Sequence, residues 1–161
     1  MQNYDLTELS VLIVESHDYM RKMVRDILFQ LKIRQIHESK NTDDAFKLFL
    51  EVPLDLIITD WSPNLDGIHL LSRFRNDPES PDPFIPIIIS TANTDIKNIC
   101  LARDSGMTEY LAKPFSAKHL YDRIRAVIER HRQFIRNSEF FGPDRRRRRN
   151  VYDGQDRRED G

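Results

Sequence analysis

The chain has 161 residues, the length of one domain with an appendage, and 39% of them are apolar, enough to build one core. Its 25 basic and 26 acidic residues nearly cancel, which excludes a nucleic-acid binder driven by bulk charge. The single cysteine, Cys100, excludes an intramolecular disulfide. No run reaches the ~18 apolar residues of a membrane span, and Met1–Asp5 has neither the basic nor the apolar region of a secretory signal, so a soluble cytoplasmic protein is the expectation.

Short apolar runs alternate with helical patterns along the chain. Val11-Leu12-Ile13-Val14 reads as a first strand. Asp18 offers a cap for a helix on which Met20, Val24, Ile27, Leu28 and Leu31 recur at helical spacing. Gln35–Glu38 is a weak second strand. Thr42 or Asp43 caps a helix carrying Ala45, Phe46, Leu48, Phe49 and Leu50, and Pro53 stops it. Leu54–Thr59 reads as a third strand, followed by a loop with Pro63, Asn64 and Gly67 and a helix over Ile68–Arg75. Asn76–Pro83 is a proline-rich loop, Phe84–Ser90 a fourth strand, and Asp95–Asp104 a helix closed by Gly106. Glu109–Ala112 is a fifth strand, and Ser116 caps a last helix running to about Arg136, with Leu120, Ile124, Val127 and Ile128 on one face.

The strands lack polar alternation, so both of their faces are buried, as in a parallel sheet. Five βα units in series imply a doubly wound α/β sheet with right-handed crossovers and helices on both faces. In such sheets the working site lies beyond the carboxyl ends of the strands. Those ends deliver Glu15-Ser16, Asp60, Thr91 and Lys113-Pro114. A carboxylate can attack a phosphoryl group if its charge is managed, an ammonium and a hydroxyl can take phosphoryl oxygens, and a hard dication held by oxygens can bridge the two. Singly, each residue has a blander reading as a turn, a cap or a surface group; four strand ends in this order favour the chemical one.

With Val11–Glu15, Met20-Arg21, Thr59-Asp60-Trp61, Asp66-Gly67, Thr91-Ala92 and Tyr110-Leu111-Ala112-Lys113-Pro114-Phe115 in view, the chain resembles the receiver domain of bacterial two-component response regulators over about residues 8–132. The likeness is strongest to stand-alone, chemotaxis-type members. It implies a flavodoxin-like sheet of strand order 2-1-3-4-5. Asp60 would be the phosphoacceptor, charged by a histidine kinase or phosphotransfer protein, and Lys113 would contact the phosphoryl group. Thr91 and Tyr110 would form the switch, reshaping the face made by the fourth helix, fifth strand and fifth helix, where an output protein binds or a homodimer forms. A Mg2+ ion would be held by Glu15, Asp60 and the backbone carbonyl of Ser62. The resemblance also implies a cis peptide at Lys113-Pro114 and no enzymatic role beyond self-catalysed phosphoryl transfer and dephosphorylation.

Two departures stand out. The family has two acids after the first strand, the second a direct metal ligand; here that position is the neutral Ser16. The loop Asp60-Trp61-Ser62-Pro63-Asn64-Leu65-Asp66-Gly67 is one residue shorter than the family's, and Pro63 restricts Ser62, which re-aims the metal-facing carbonyl. Weaker Mg2+ binding is expected. Asp18 is a possible substitute ligand, with helix capping as its ordinary role. The alternative function is a receiver fold kept as a phosphorylation-independent binding scaffold.

Residues 8–136 form the expected receiver, and 137–161 an Arg-rich tail holding seven arginines against six acids, including Arg145–Arg149. The ordinary reading is a disordered mixed-charge tail; the functional one is an arm for an acidic protein, an anionic membrane or RNA. No DNA-binding domain fits in it. Five histidines lack metal-ligand spacing, Cys100 is expected to pack as a small hydrophobe, and no Gly-rich phosphate loop is present.

Overall fold

The structure, a computed structural model, describes residues 4–137; most of the Arg-rich tail lies outside the described residues. Five strands, β1 (Ser10–Val14), β2 (Gln35–Ser39), β3 (Leu56–Asp60), β4 (Ile87–Thr91) and β5 (Glu109–Ala112), form one parallel sheet in the order β2-β1-β3-β4-β5. Between and after them run α1 (Asp18–Gln30), α2 (Thr42–Glu51), α3 (Gly67–Asn76), α4 (Ile96–Asp104) and α5 (Ala117–Asn137). The expected doubly wound sheet is the one found. Among the described residues no helix is long and apolar enough to cross a membrane.

The two-residue period of the strands divides the core between the two faces of the sheet. Val11, Ile13, Leu56, Ile58, Ile88 and Leu111 pack with Val24 and Leu28 of α1 and Leu120, Ile124 and Val127 of α5. Leu12, Val14, Ile57, Ile87 and Ile89 pack with Phe46 and Phe49 of α2 and Leu70, Leu71 and Phe74 of α3. The rings of Phe46, Phe49 and Phe74 meet at centroid distances of 4.7–6.1 Å. Each fully buried aromatic contributes roughly 1.5–3 kcal/mol through area removed from water.

The starts of α1 and α2 differ from the expected caps, while Ser116 caps α5 as expected. α1 is capped by His17, whose Nδ1 accepts the Met20 amide at 3.4 Å, while Asp18 is the first helical residue and pairs with Arg21 at 2.7 Å. The loop sets this choice: the Glu15 carboxylate accepts the His17 amide, so His17 holds the extended cap conformation. α2 is capped by Asn41 rather than Thr42 or Asp43; Asn41 is extended and its side chain accepts the Asp44 amide at 2.8 Å. Asp66 caps α3 and Ser116 caps α5, through the His69 and His119 amides. Gly106, at φ +111°, ends α4 as expected. The Met107 amide reaches back to Ala102 and the Gly106 amide to Arg103, the paired bonds of a Schellman motif.

β3 and β4 begin two and three residues later than their apolar runs. Pro86 has no N–H to give to a ladder, and β4 starts directly after it. Asp55 is taken up outside the strand, exchanging bonds with the backbone of Ser10. The peptide between Lys113 and Pro114 is cis.

Candidate functional site

The parity that builds the core also builds the site. Glu15, Asp60 and Lys113 continue the alternation of Ile13, Ile58 and Leu111, so their side chains emerge on one face at the carboxyl rim. Register completes the rim: Val14 lies opposite Thr59, Asp60 opposite Ser90 and Thr91 opposite Ala112.

There the Lys113 ammonium donates to Asp60 Oδ1 at 2.7 Å and to Glu15 Oε1 at 3.0 Å. Asp60 is only 3% exposed and Glu15 5%, so these two carboxylates share one cation in a largely water-excluded setting. Burial pulls the Lys113 ammonium toward lower pKa, but its hydrogen bonds to Asp60 and Glu15, with their charges, outweigh it and leave the group above its ordinary value. Lys113 is therefore a fixed cation at neutral pH. Every hydrogen-bonding group of Glu15 has a partner: its amide donates to Ser39, its carbonyl accepts Arg21 Nη1 at 3.0 Å, and Oε2 accepts the His17 amide at 3.2 Å.

Thr91 and Tyr110 lie on the adjacent rim, turned to a common neighbour. Thr91 Oγ1 accepts the Asn93 amide at 3.1 Å, and the Tyr110 hydroxyl donates to the Asn93 carbonyl at 3.0 Å. Burial pushes the Tyr110 phenol up. The Lys113 amide donates to the Thr91 carbonyl, tying the two rim segments together. Asn93 was not singled out from sequence, because it acts through its backbone and carries no side-chain signature.

The loop after β3 is a tight turn. The Ser62 amide donates to the Leu65 carbonyl and the Leu65 amide to the Ser62 carbonyl, both at 3.1 Å, with Pro63-Asn64 between them. The carbonyl expected to face a metal is thus engaged within its own turn. Gly67 closes the loop against Asp60: a Cβ there would stand 2.4 Å from the Asp60 carbonyl oxygen. Ser16 is half-buried beside Glu15. Asp18 stands exposed, with Arg21 and Lys40 holding its carboxyl below the ordinary range, Arg21's hydrogen bond foremost.

Among the described residues, no group of three or more His, Cys, Asp or Glu side chains is placed to hold a metal. Cys100 is half-buried, with the Arg103 guanidinium 3.4 Å from its sulfur. Arg75, also unremarked in the sequence, donates to the carbonyls of Gly106, Pro83 and Ile85; burial lowers its pKa to about 10, which leaves it charged at neutral pH.

A family model for the response regulator receiver domain matches residues 11–125. The chemotaxis protein CheY-3 of Vibrio cholerae is 29% identical over 123 residues, spanning 76% of this chain and 93% of that protein. The phosphate regulon transcriptional regulatory protein PhoB of Pseudomonas aeruginosa is 32% identical over 122 residues, spanning 75% of this chain and 52% of that protein. Among solved structures, the signal receiver domain of an HD domain-containing protein from Pseudomonas fluorescens superposes with a TM-score of 0.66 at 26% identity, covering 76% of this chain and 95% of that one. The chemotaxis response regulator CheY4 of Vibrio cholerae gives a TM-score of 0.66 at 23% identity, covering 74% and 98%, a likeness of fold.

Proposed function

The chain belongs to the response regulator receiver family, and on that premise we propose that it is a phosphorylation-driven switch whose acceptor is Asp60. The observation that carries this reading is the buried Asp60 carboxylate held 2.7 Å from the Lys113 ammonium at the strand rim. A histidine kinase or phosphotransfer protein would present a phosphohistidine. An Asp60 oxygen attacks phosphorus, the P–N bond breaks, and the imidazole leaves with the electron pair and takes up a proton. Lys113 offsets the charge that the phosphoryl oxygens bring into the pocket.

The readout follows from the two bonds to Asn93. For the Thr91 hydroxyl to turn to a phosphoryl oxygen it must release the Asn93 amide, and the same residue is held by Tyr110. The segment between β4 and α4 is therefore one two-state element biased by a local charge. Beside it, α4 exposes Ile96 and Leu101, an apolar surface for an output protein or a second copy.

Receiver domains of this family generally bind Mg2+, which when bound neutralises phosphoryl charge. The donors here fit that ion poorly. Glu15 and Asp60 already share Lys113, Ser16 is neutral, and the Ser62 carbonyl is engaged by Leu65. These same facts favour a second reading, a receiver scaffold that binds partners without phosphorylation.

Intact-mass measurement after exposure to acetyl phosphate separates the two. The expected result is a gain of one phosphoryl group in the wild type and none in Asp60→Asn. Equal labelling of Asp60→Asn removes the acceptor assignment. No labelling of the wild type, with partner capture unchanged in Asp60→Asn, establishes the scaffold.

A further inference from the structure

The loop after β3 carries consequences beyond the acceptor assignment, on which this inference rests only for where the pocket lies. We infer that this pocket has lost its divalent-cation site through two independent changes, Ser16 and the one-residue contraction of the loop, and that the Lys113 ammonium is its resident cation.

Mg2+ takes six oxygens in near-ideal octahedral geometry and dehydrates reluctantly, so each protein ligand must aim an uncommitted lone pair at the ion. Both Glu15 oxygens already accept a bond that fixes their direction: Oε1 is 3.0 Å from Lys113 Nζ and Oε2 accepts the His17 amide. Asp60 has one oxygen on Lys113 at 2.7 Å. The hydroxyl of Ser16 supplies no anionic oxygen where a carboxylate would.

The main-chain ligand fails for a geometric reason. Three carbonyls follow the acceptor side chain. That of Asp60 accepts the Thr59 hydroxyl at 3.1 Å and is packed under Gly67. Trp61 gives its amide to Ser90, on the β4 side of β3, whereas Glu15 follows β1 on the opposite side. That bond ties Trp61 to the β4 side of the rim, away from β1. The Ser62 carbonyl closes the turn with Leu65, and the Ser62 hydroxyl accepts the Asn64 amide. The turn thus closes directly after Trp61 and takes up the Ser62 carbonyl. A dication entering here would also displace or repel an ammonium already bound to both carboxylates.

The test is a Mg2+ titration of the full chain, followed by the fluorescence of Trp61, the only tryptophan, and by calorimetry, which does not depend on the fluorophore. Four proteins are compared: wild type, Ser16→Asp, a variant with one glycine inserted between Trp61 and Ser62, and the two changes combined. The wild type is expected to show no saturation at millimolar Mg2+. The combined variant should bind at least about tenfold more tightly, a difference of roughly 1.4 kcal/mol, with each single change giving part of the gain. Saturation of the wild type as tight as that of the combined variant overturns the inference, and so does a folded combined variant that gains nothing.

If the insertion prevents folding, labelling decides. Asp60 should gain its phosphoryl group at the same rate in Mg2+ and in EDTA, and labelling that requires Mg2+ overturns the inference. An absence of all labelling counts against Asp60 as acceptor, while the wild-type titration still decides the cation site.

Discussion

Replacing Gly67 by alanine should damage the site from beneath. A Cβ there would lie 2.4 Å from the Asp60 carbonyl oxygen and 3.2 Å from Trp61 Cβ. Carbon and oxygen in close contact sit at about 3.3 Å or more, so a backbone carbonyl must retreat by roughly 1 Å. That carbonyl ends a strand whose every residue is buried, and it has nowhere cheap to go. Overpacking of this kind costs about 1–3 kcal/mol. Alanine returns at most about 1 kcal/mol of helix propensity, less at the first helical position. The net expectation is a destabilisation of about 1–2 kcal/mol, a fall in melting temperature of roughly 3–8 °C. Urea unfolding followed by circular dichroism measures it. Because the displaced atom belongs to Asp60, the labelling rate with acetyl phosphate should also fall under conditions where both proteins are fully folded. A Gly67→Ala midpoint within about 0.5 kcal/mol of wild type would show that the helix can shift instead, and would refute the reasoning.

Arg75→Met should cost about 2–4 kcal/mol in the same unfolding assay, since the carbonyls of Gly106, Pro83 and Ile85 lose their donor while partly buried; a loss below about 1 kcal/mol would mean water replaces the guanidinium. Tyr110→Phe removes one bond to the Asn93 carbonyl, so stability should fall by only about 0.5–1.5 kcal/mol while amide exchange quickens across residues 92–96. For Lys113, the folded pKa lies above the ordinary 10.5, so its contribution is fully present below that value and is lost as pH rises through the folded one. The stability difference between wild type and Lys113→Met should thus be flat from neutral pH to about 10 and change only above that. A chain ending at Asn137 should melt within a degree or two of the full chain, as the sequence shift after α5 from apolar periodicity to Arg, Asp and Gly implies; a large loss would assign Phe140 and Phe141 a place on the domain.

Five βα units were legible because β1, β3 and β4 are apolar at successive positions and the helices between the strands repeat at a different period. Those two patterns decide layer, parity and hence which rim residues share a face, so Glu15, Asp60 and Lys113 could be grouped although Lys113 and Glu15 stand 98 residues apart. The neutral Ser16 and the contracted loop were equally visible as sequence. What composition and period leave open is competition among local groups for the same backbone donors. His17 rather than Asp18 caps α1 because a carboxylate from the preceding strand end holds its amide. Pro86, by lacking an N–H, trims a strand that its hydrophobicity would have extended. Whether the Ser62 carbonyl is free depended on where the turn closes, and the reach of Arg75 to Gly106, 31 residues away, depended on two loops meeting at the foot of the sheet. Such choices are made by hydrogen bonds between segments distant in sequence, each worth about 1 kcal/mol, and only the packed chain brings the competitors together.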